Sequence, residues 1–307
     1  MLVVINLDFI LPRLVPGNAA QILSGGFGKT SEIQVLQARY GLNDSVTTQY
    51  VIYMKGIFWS WPPNLGISFF YFPTTVTALI SERIGWSLLL IVASLALSLV
   101  LVYGMALISA QNRGGKFEIG ALYGSISLHS IPVYWLAMVL LWEFSVVLGW
   151  LPVTGSYDLN SPSGLGYVIG VVRHAILPVI ALSLSLIGQN YLVLRGSMQE
   201  ALKSDYVIAA KSRGLRGRIV ASRYVVRNSL LPLVSLLTFS LSGLISRVVL
   251  VEVVFGYPGM GDLIIDGILN HDYPVLEGSF FVLSSLVVLF GLIGDILLVR
   301  LDPRLRS

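Results

Sequence analysis

Residues of this chain that could do chemistry are few, and their spacing seldom brings two together. The absence of cysteine removes a disulfide framework and thiolate chemistry. The three histidines, His129, His174 and His271, have no metal-ligand spacing and read as helix-end or interface residues. There is no Cys/His pair, no Gly-x-Ser-x-Gly elbow and no His-Glu-x-x-His zinc motif. Gly25-Gly26-Phe27-Gly28-Lys29-Thr30 looks like a phosphate loop, but that motif needs a glycine five residues before Gly28, where Leu23 stands, and no strand pattern precedes it. These residues predict no catalytic, cofactor-binding or metal-binding site, no nucleic-acid partner, and a chain that is not an enzyme.

The charged residues inside long apolar runs are more informative. Glu143, Arg247, Glu252 and Asp295 each lie in such a run. A charge costs a few kcal/mol at the centre of a bilayer, so it faces protein or a watery path. Glu252 and Asp295 lie near run ends and could snorkel or pair. Glu143 and Arg247 are the candidates for a translocation path or for contact with a second subunit.

A third feature is the basic interruption from Glu200 to Pro232. Eight of the 20 Lys and Arg lie between Arg195 and Arg227. Within it, Ser204 or Asp205 can cap a helix start, and Gly214 suits the left-handed position after a helix end. Lys211 and Arg213 fall in the last turn, where positive charge complements the dipole. The spacing predicts a helix of about eight residues, roughly 12 Å long, with Tyr206, Ala209, Ala210 and Arg213 on one face. Two alanines leave room for close approach, and tyrosine and arginine are favoured interface anchors. The alternative is a charged loop that only fixes topology.

The elements that must position these residues are membrane helices. The chain is 55% hydrophobic and 12% charged, with net charge +4 and mean hydropathy +0.80; soluble domains carry about 25% charged residues. Apolar runs predict spans near 84–110, 119–150, 172–194, 227–255 and 275–299. Gly120 and Gly124 have spacing that permits close helix packing, and Pro132 marks a kink or helix start. Asp262 to Leu269 reads as a short amphipathic helix. Residues 1–17 read as a first membrane helix and 18–83 as an extracytoplasmic segment with short helices and interfacial aromatics. Residues 84–307 form the remaining core, with the cytoplasmic loop at 196–226. The first run reaches only about 22 Å against a hydrocarbon core of about 30 Å, so the N-terminus is expected to be truncated or the start codon to lie earlier. Two basic residues at 111–118, eight in the 195–227 loop and three at the C-terminus face one side, against Arg173 alone in the opposite short loops. The positive-inside rule puts the basic loop and both termini in the cytoplasm of a multi-pass protein with six spans.

Asp205-Tyr206, Ala209-Ala210, Gly214-Leu215 and Arg227-Asn228-x-Leu230-Leu231-Pro232 resemble the cytoplasmic loop of ABC-importer permeases. That loop is named for Glu-Ala-Ala-x-x-x-Gly; here Ile208 stands in place of the Glu, so that Glu's role is not carried over. Leu11 to Asn18, Val251 to Gly261, Asp272 to Gly278 and Leu301-Asp302-Pro303-Arg304 are similar to further blocks of the family, in the same order. The closest resemblance is to the first permease type of the dipeptide/oligopeptide/nickel branch. It implies an all-α, six-helix type I importer domain in the plasma membrane. A cytoplasmic coupling helix would dock an ATPase through Asp205, Tyr206, Ala209, Ala210, Lys211, Arg213, Gly214 and Leu215. The implied partners are a second related permease, two cytoplasmic ATPases, an extracytoplasmic solute-binding protein and the lipid bilayer. The implied solutes are peptides or similar molecules; oligosaccharides or nickel are the alternatives within the family. A stand-alone secondary transporter would show inverted repeats and broken helices, and no halves-repeat is apparent. A scaffold without transport would have little use for intramembrane charges.

Overall fold

The computed structural model describes residues 2–14, 41, 43–112, 114–158, 163–220, 225 and 227–301; for residues 2, 211, 218, 227–239, 242, 297, 298 and 301 it describes backbone only. The phosphate-loop look-alike at 25–30 and the C-terminal Asp302-Pro303-Arg304 lie outside the described residues. The elements are α1 (Leu2–Leu14), α2 (Val46–Phe58), α3 (Val76–Gln111), α4 (Lys116–Ser130), α5 (Val133–Leu141) with a π-helical turn (Trp142–Val147), α6 (Gly164–Ala201), α7 (Asp205–Ser212), α8 (Gly217–Ile219), α9 (Arg227–Phe255), α10 (Met260–Leu269) and α11 (Tyr273–Leu301). Among the described residues the only extended pairing is an isolated bridge between Ile67 and Thr75. Among the described residues three helices, Val76–Gln111, Gly164–Ala201 and Tyr273–Ile296, are long and apolar enough to cross a membrane, and up to five spans result there if two bent helix pairs each count as one.

The chain divides into two compact units. The first comprises residues 1–87 and 256–288. Its core joins Val76, Leu79 and Ile80 of α3 to Met260 and Leu263 of α10 and Val275 of α11. The expected amphipathic helix is α10: Met260, Leu263, Ile264 and Gly267 are buried at three- and four-residue spacing. Asp272 is 1% exposed. Its carboxylate accepts the Val275 N–H at 3.3 Å, capping α11, and also the Phe70 N–H at 3.0 Å and the Ser68 hydroxyl.

The second unit comprises residues 88–255 and 289–307. Its centre is α6, whose buried residues run from Gly170 to Met198. Helix α4 approaches α6 closely at Gly188, where an added Cβ would lie 2.8 Å from both the Ser125 carbonyl oxygen and the His129 nitrogen. The expected close-packing glycines are different ones: Gly120 and Gly124 have no atom of the described chain within 4 Å of such a Cβ. Small size at 120 and 124 is legible in sequence, but which glycine meets a neighbouring backbone depends on tertiary placement.

Three apolar runs differ from expectation. Helix α3 starts at Val76 rather than 84, because Ser81-Glu82-Arg83 forms a polar turn inside the helix and Arg83 pairs with Asp262. Helix α6 begins at Gly164 and runs to Ala201, past the apolar run at both ends. The run 119–150 is two helices bent by 100°. Pro132 lacks an N–H and disfavours helical backbone before it, and Ile131 is extended at φ −85, ψ 125.

Candidate functional site

The helix expected in the basic loop is α7, Asp205–Ser212, eight residues long. The chain leaves α6 through a tight turn, with Lys203 N–H on the Glu200 carbonyl at 3.0 Å and Ser204 N–H on the Ala201 carbonyl at 3.2 Å. The Ser204 hydroxyl donates back to the Ala201 carbonyl, and the Ser204 carbonyl accepts the Ile208 N–H at 3.2 Å to start the helix ladder. At the other end Gly214 takes φ +77. The Leu215 N–H returns to the Ala210 carbonyl at 3.4 Å, the six-to-one bond of a Schellman end. The signal at Gly214 is therefore a backbone requirement.

The two sides of α7 differ sharply. Val207 is 0% exposed and Ala210 3%. Both enter the core of the second unit with Val102 and Ala106 of α3, Ile187, Tyr191, Leu194 and Met198 of α6, and Val220 and Val225; Leu215 packs against the same cluster. Burying a valine side chain stabilises by roughly 1.5–3 kcal/mol, so this inner face is anchored. Asp205, Tyr206, Ile208, Ala209, Ser212 and Arg213 are exposed, as is Gly214. The outward position expected for Ala210 is thus corrected: Tyr206, Ala209 and Arg213 share the free face, while Ala210 turns inward with Val207, three residues before it. The Lys211 side chain lies outside the described residues.

Tyr191, 0% exposed, shares a 2.7 Å hydrogen bond with Ser109, also within this core. Glu118 lies beside it and was legible in sequence only as the edge of a polar loop. Glu118 is 4% exposed. One carboxylate oxygen accepts the Gly114 N–H at 2.5 Å; the other accepts Arg195 Nε–H at 2.8 Å and Gln199 Nε2–H at 3.0 Å. Arg195 and Gln199, one helical turn apart on α6, present both donors to the same oxygen.

The charged residues of the apolar runs differ in burial. Glu143 is exposed on the π-helical turn. Arg247 is half-buried, and its Nη1–H reaches the Ser185 hydroxyl at 3.5 Å; no ion pair joins it to Glu143 among the described residues. Glu252 is 0% exposed, which excludes snorkelling and leaves pairing of the two expected alternatives, whereas Asp295 is exposed.

The first unit holds a separate polar cluster around Arg13. Its guanidinium pairs with Glu277, donates to the Gln49 side-chain oxygen at 3.2 and 3.3 Å, and stacks 3.5 Å from the Phe9 ring centre. Arg13, Gln49, Tyr53, Asn64, Tyr273 and Glu277 are among the residues lining a cavity of about 430 Å³. Burial, with the Glu277 and Asp8 charges nearby, pushes the Tyr53 phenol above its ordinary range. Burial and a hydrogen bond to Asp266 push the Tyr71 phenol up to about 12.

Residues 102–307 match the family described as binding-protein-dependent transport system inner membrane component. Residues 1–90 match the N-terminal family of the same membrane components. The chain is 31% identical over 323 residues to the di/tripeptide transport system permease protein DppB of Pseudomonas aeruginosa, covering 98% of this chain and 93% of that protein. It is 29% identical over 299 residues to the oligopeptide transport system permease protein AppB of Bacillus subtilis, covering 97% and 93%. Helices long and apolar enough to cross a membrane, an all-helical architecture and a match over two thirds of its length agree: this chain is a multi-pass membrane permease of the binding-protein-dependent transport system inner membrane component family, with the type I ABC-importer membrane fold.

Proposed function

We propose that this permease forms half of the translocation path of an ATP-driven peptide importer and receives ATPase motion through α7. The observation that carries the coupling role is the two-sidedness of α7. Its inner face is locked into the helical core by Val207 and Ala210, and its outer face offers Tyr206, Ala209 and Arg213 to a partner. A load applied to that outer face passes into α3 and α6 together, which is what rigid-body coupling between access states requires. Peptide as the solute is supported by the peptide transport named for both relatives.

In this reading the assembly contains a second related permease, two cytoplasmic ATPases and an extracytoplasmic solute-binding protein. The basic loop and both termini face the cytoplasm of a plasma-membrane protein, by the positive-inside asymmetry. Asp205 and Ile208 rim the docking surface, Gly214 and Leu215 fix its end, and Lys211 adds charge to the last turn. Ala210 acts by holding the helix in place. Glu143 and Arg247 remain the candidates for the path or the second-permease contact, since each is charged in an apolar run with no ion pair among the described residues.

Affinity purification of the tagged chain from native membranes in mild detergent, followed by mass spectrometry, tests the composition. Stoichiometric ATPase and a second permease are expected. Recovery of this chain alone, under conditions that preserve a control importer, would favour a stand-alone transporter.

A further inference from the structure

The Glu118 carboxylate sits where three parts of the second unit meet. Gly114 belongs to the turn between α3 and α4, Glu118 to the first turn of α4, and Arg195 and Gln199 to the last two turns of α6. The chain enters α7 four residues after α6 ends, and Met198, beside Gln199, packs in the same cluster as Val207 and Ala210. With Glu118 buried, its carboxylate has little water to replace a lost donor. A buried carboxylate with three donors is held firmly; deprived of them it is costly. Its neighbour is a void of about 10 Å³ lined by Ala106, Ser109, Met198 and Leu202 among others, at the lower limit for a single water, so the contact is close-packed.

The apolar cluster ties α7 to α3 and α6. Among the described contacts, the polar bonds of the α3–α4 turn to the end of α6 all pass through one side chain, Glu118. We propose that Glu118 is a positioning residue for energy coupling. Its carboxylate clamps the α3–α4 turn to the end of α6, so that displacement of α7 moves α3, α4 and α6 as one body. This rests on the reading of α7 as the ATPase-docking helix. Without the clamp, α7 still docks and ATP is still hydrolysed, but part of the motion is lost as α6 slips against α4.

The test uses the whole importer reconstituted in liposomes, with transport and ATP hydrolysis measured on the same complexes. In Glu118→Gln, hydrolysis should persist while solute transported per ATP falls about tenfold or more, the factor expected for loss of one hydrogen bond to a charged group. Glu118→Asp, which keeps the charge, should recover most of that ratio. Arg195→Gln should lower it similarly, and the double variant Glu118→Gln/Arg195→Gln should be no worse than the poorer single one, because both act through one contact. An unchanged ratio in Glu118→Gln, or equal failure of Glu118→Asp, overturns the proposal. If Glu118→Gln does not assemble, Arg195→Gln decides by the same ratio. Ala209→Trp separates the two levels. If it leaves ATPase attachment and transport intact, the docking reading fails; if it blocks both while Glu118→Gln transports normally, only the clamp fails.

Discussion

Tyr191 of α6 and Ser109 of α3 share a 2.7 Å hydrogen bond inside the apolar core that holds the inner face of α7. The Ser109 hydroxyl also donates to the Met105 carbonyl at 2.9 Å. Tyr191→Phe keeps the ring and removes the phenol. We expect a loss of about 0.5–1.5 kcal/mol, read as a lower midpoint in detergent unfolding, with transport retained. Tyr191→Ala leaves a cavity as well and should cost about 3–5 kcal/mol, like other large aromatic truncations. Equal effects of the two variants would mean that the ring contributes little.

Gly188 sets the distance between α4 and α6. Gly188→Ala should push backbone apart and destabilise by roughly 1–3 kcal/mol, the range for overpacking. Gly196→Ala is the control: nothing lies within 4 Å of its added Cβ, and alanine favours helix by about 0.5–1 kcal/mol. Thermal denaturation of the two purified variants should therefore move in opposite directions. A Gly188→Ala midpoint at or above that of the parent would contradict this packing.

Asp272 stabilises both the start of α11 and the Ser68–Phe70 turn. Asp272→Ala removes a helix cap and leaves the Phe70 N–H without its acceptor, for a loss of about 2–4 kcal/mol. Asp272→Asn keeps an oxygen for one donor and should lose less. Limited proteolysis of the first unit would read the difference, with the alanine variant cleaved faster around 60–75.

Local backbone signals were the most legible part of the chain. The eight-residue length of α7, its left-handed Gly214 and the amphipathic α10 follow from capping residues and periodicity, which act within a few residues, and the bounds 227–255 of α9 from the extent of an apolar run. What was not legible depended on partners far along the chain. Arg83 looks like a polar stop until Asp262, 179 residues away, accepts it inside a continuing helix. Glu118 looks like a loop residue until Arg195 and Gln199 reach it. Ala210 belongs by spacing to the same face as Tyr206, yet its small size is used to seat α7 on α6. The break at Pro132 was marked in sequence, but its 100° bend was not, since proline permits many angles and packing selects one.

The α7 account is tested most directly by co-purification of the ATPase subunit with two tryptophan variants of the tagged permease. Ala209→Trp fills the free outer face. It should reach the membrane at normal level, unfold at the parent's temperature and lose the ATPase and transport together. Ala210→Trp drives a large ring into the cluster of Val207, Tyr191 and Met198, and should instead lower the yield of folded protein. A folded Ala209→Trp permease that retains stoichiometric ATPase and normal transport would contradict the assignment of α7 as the docking helix.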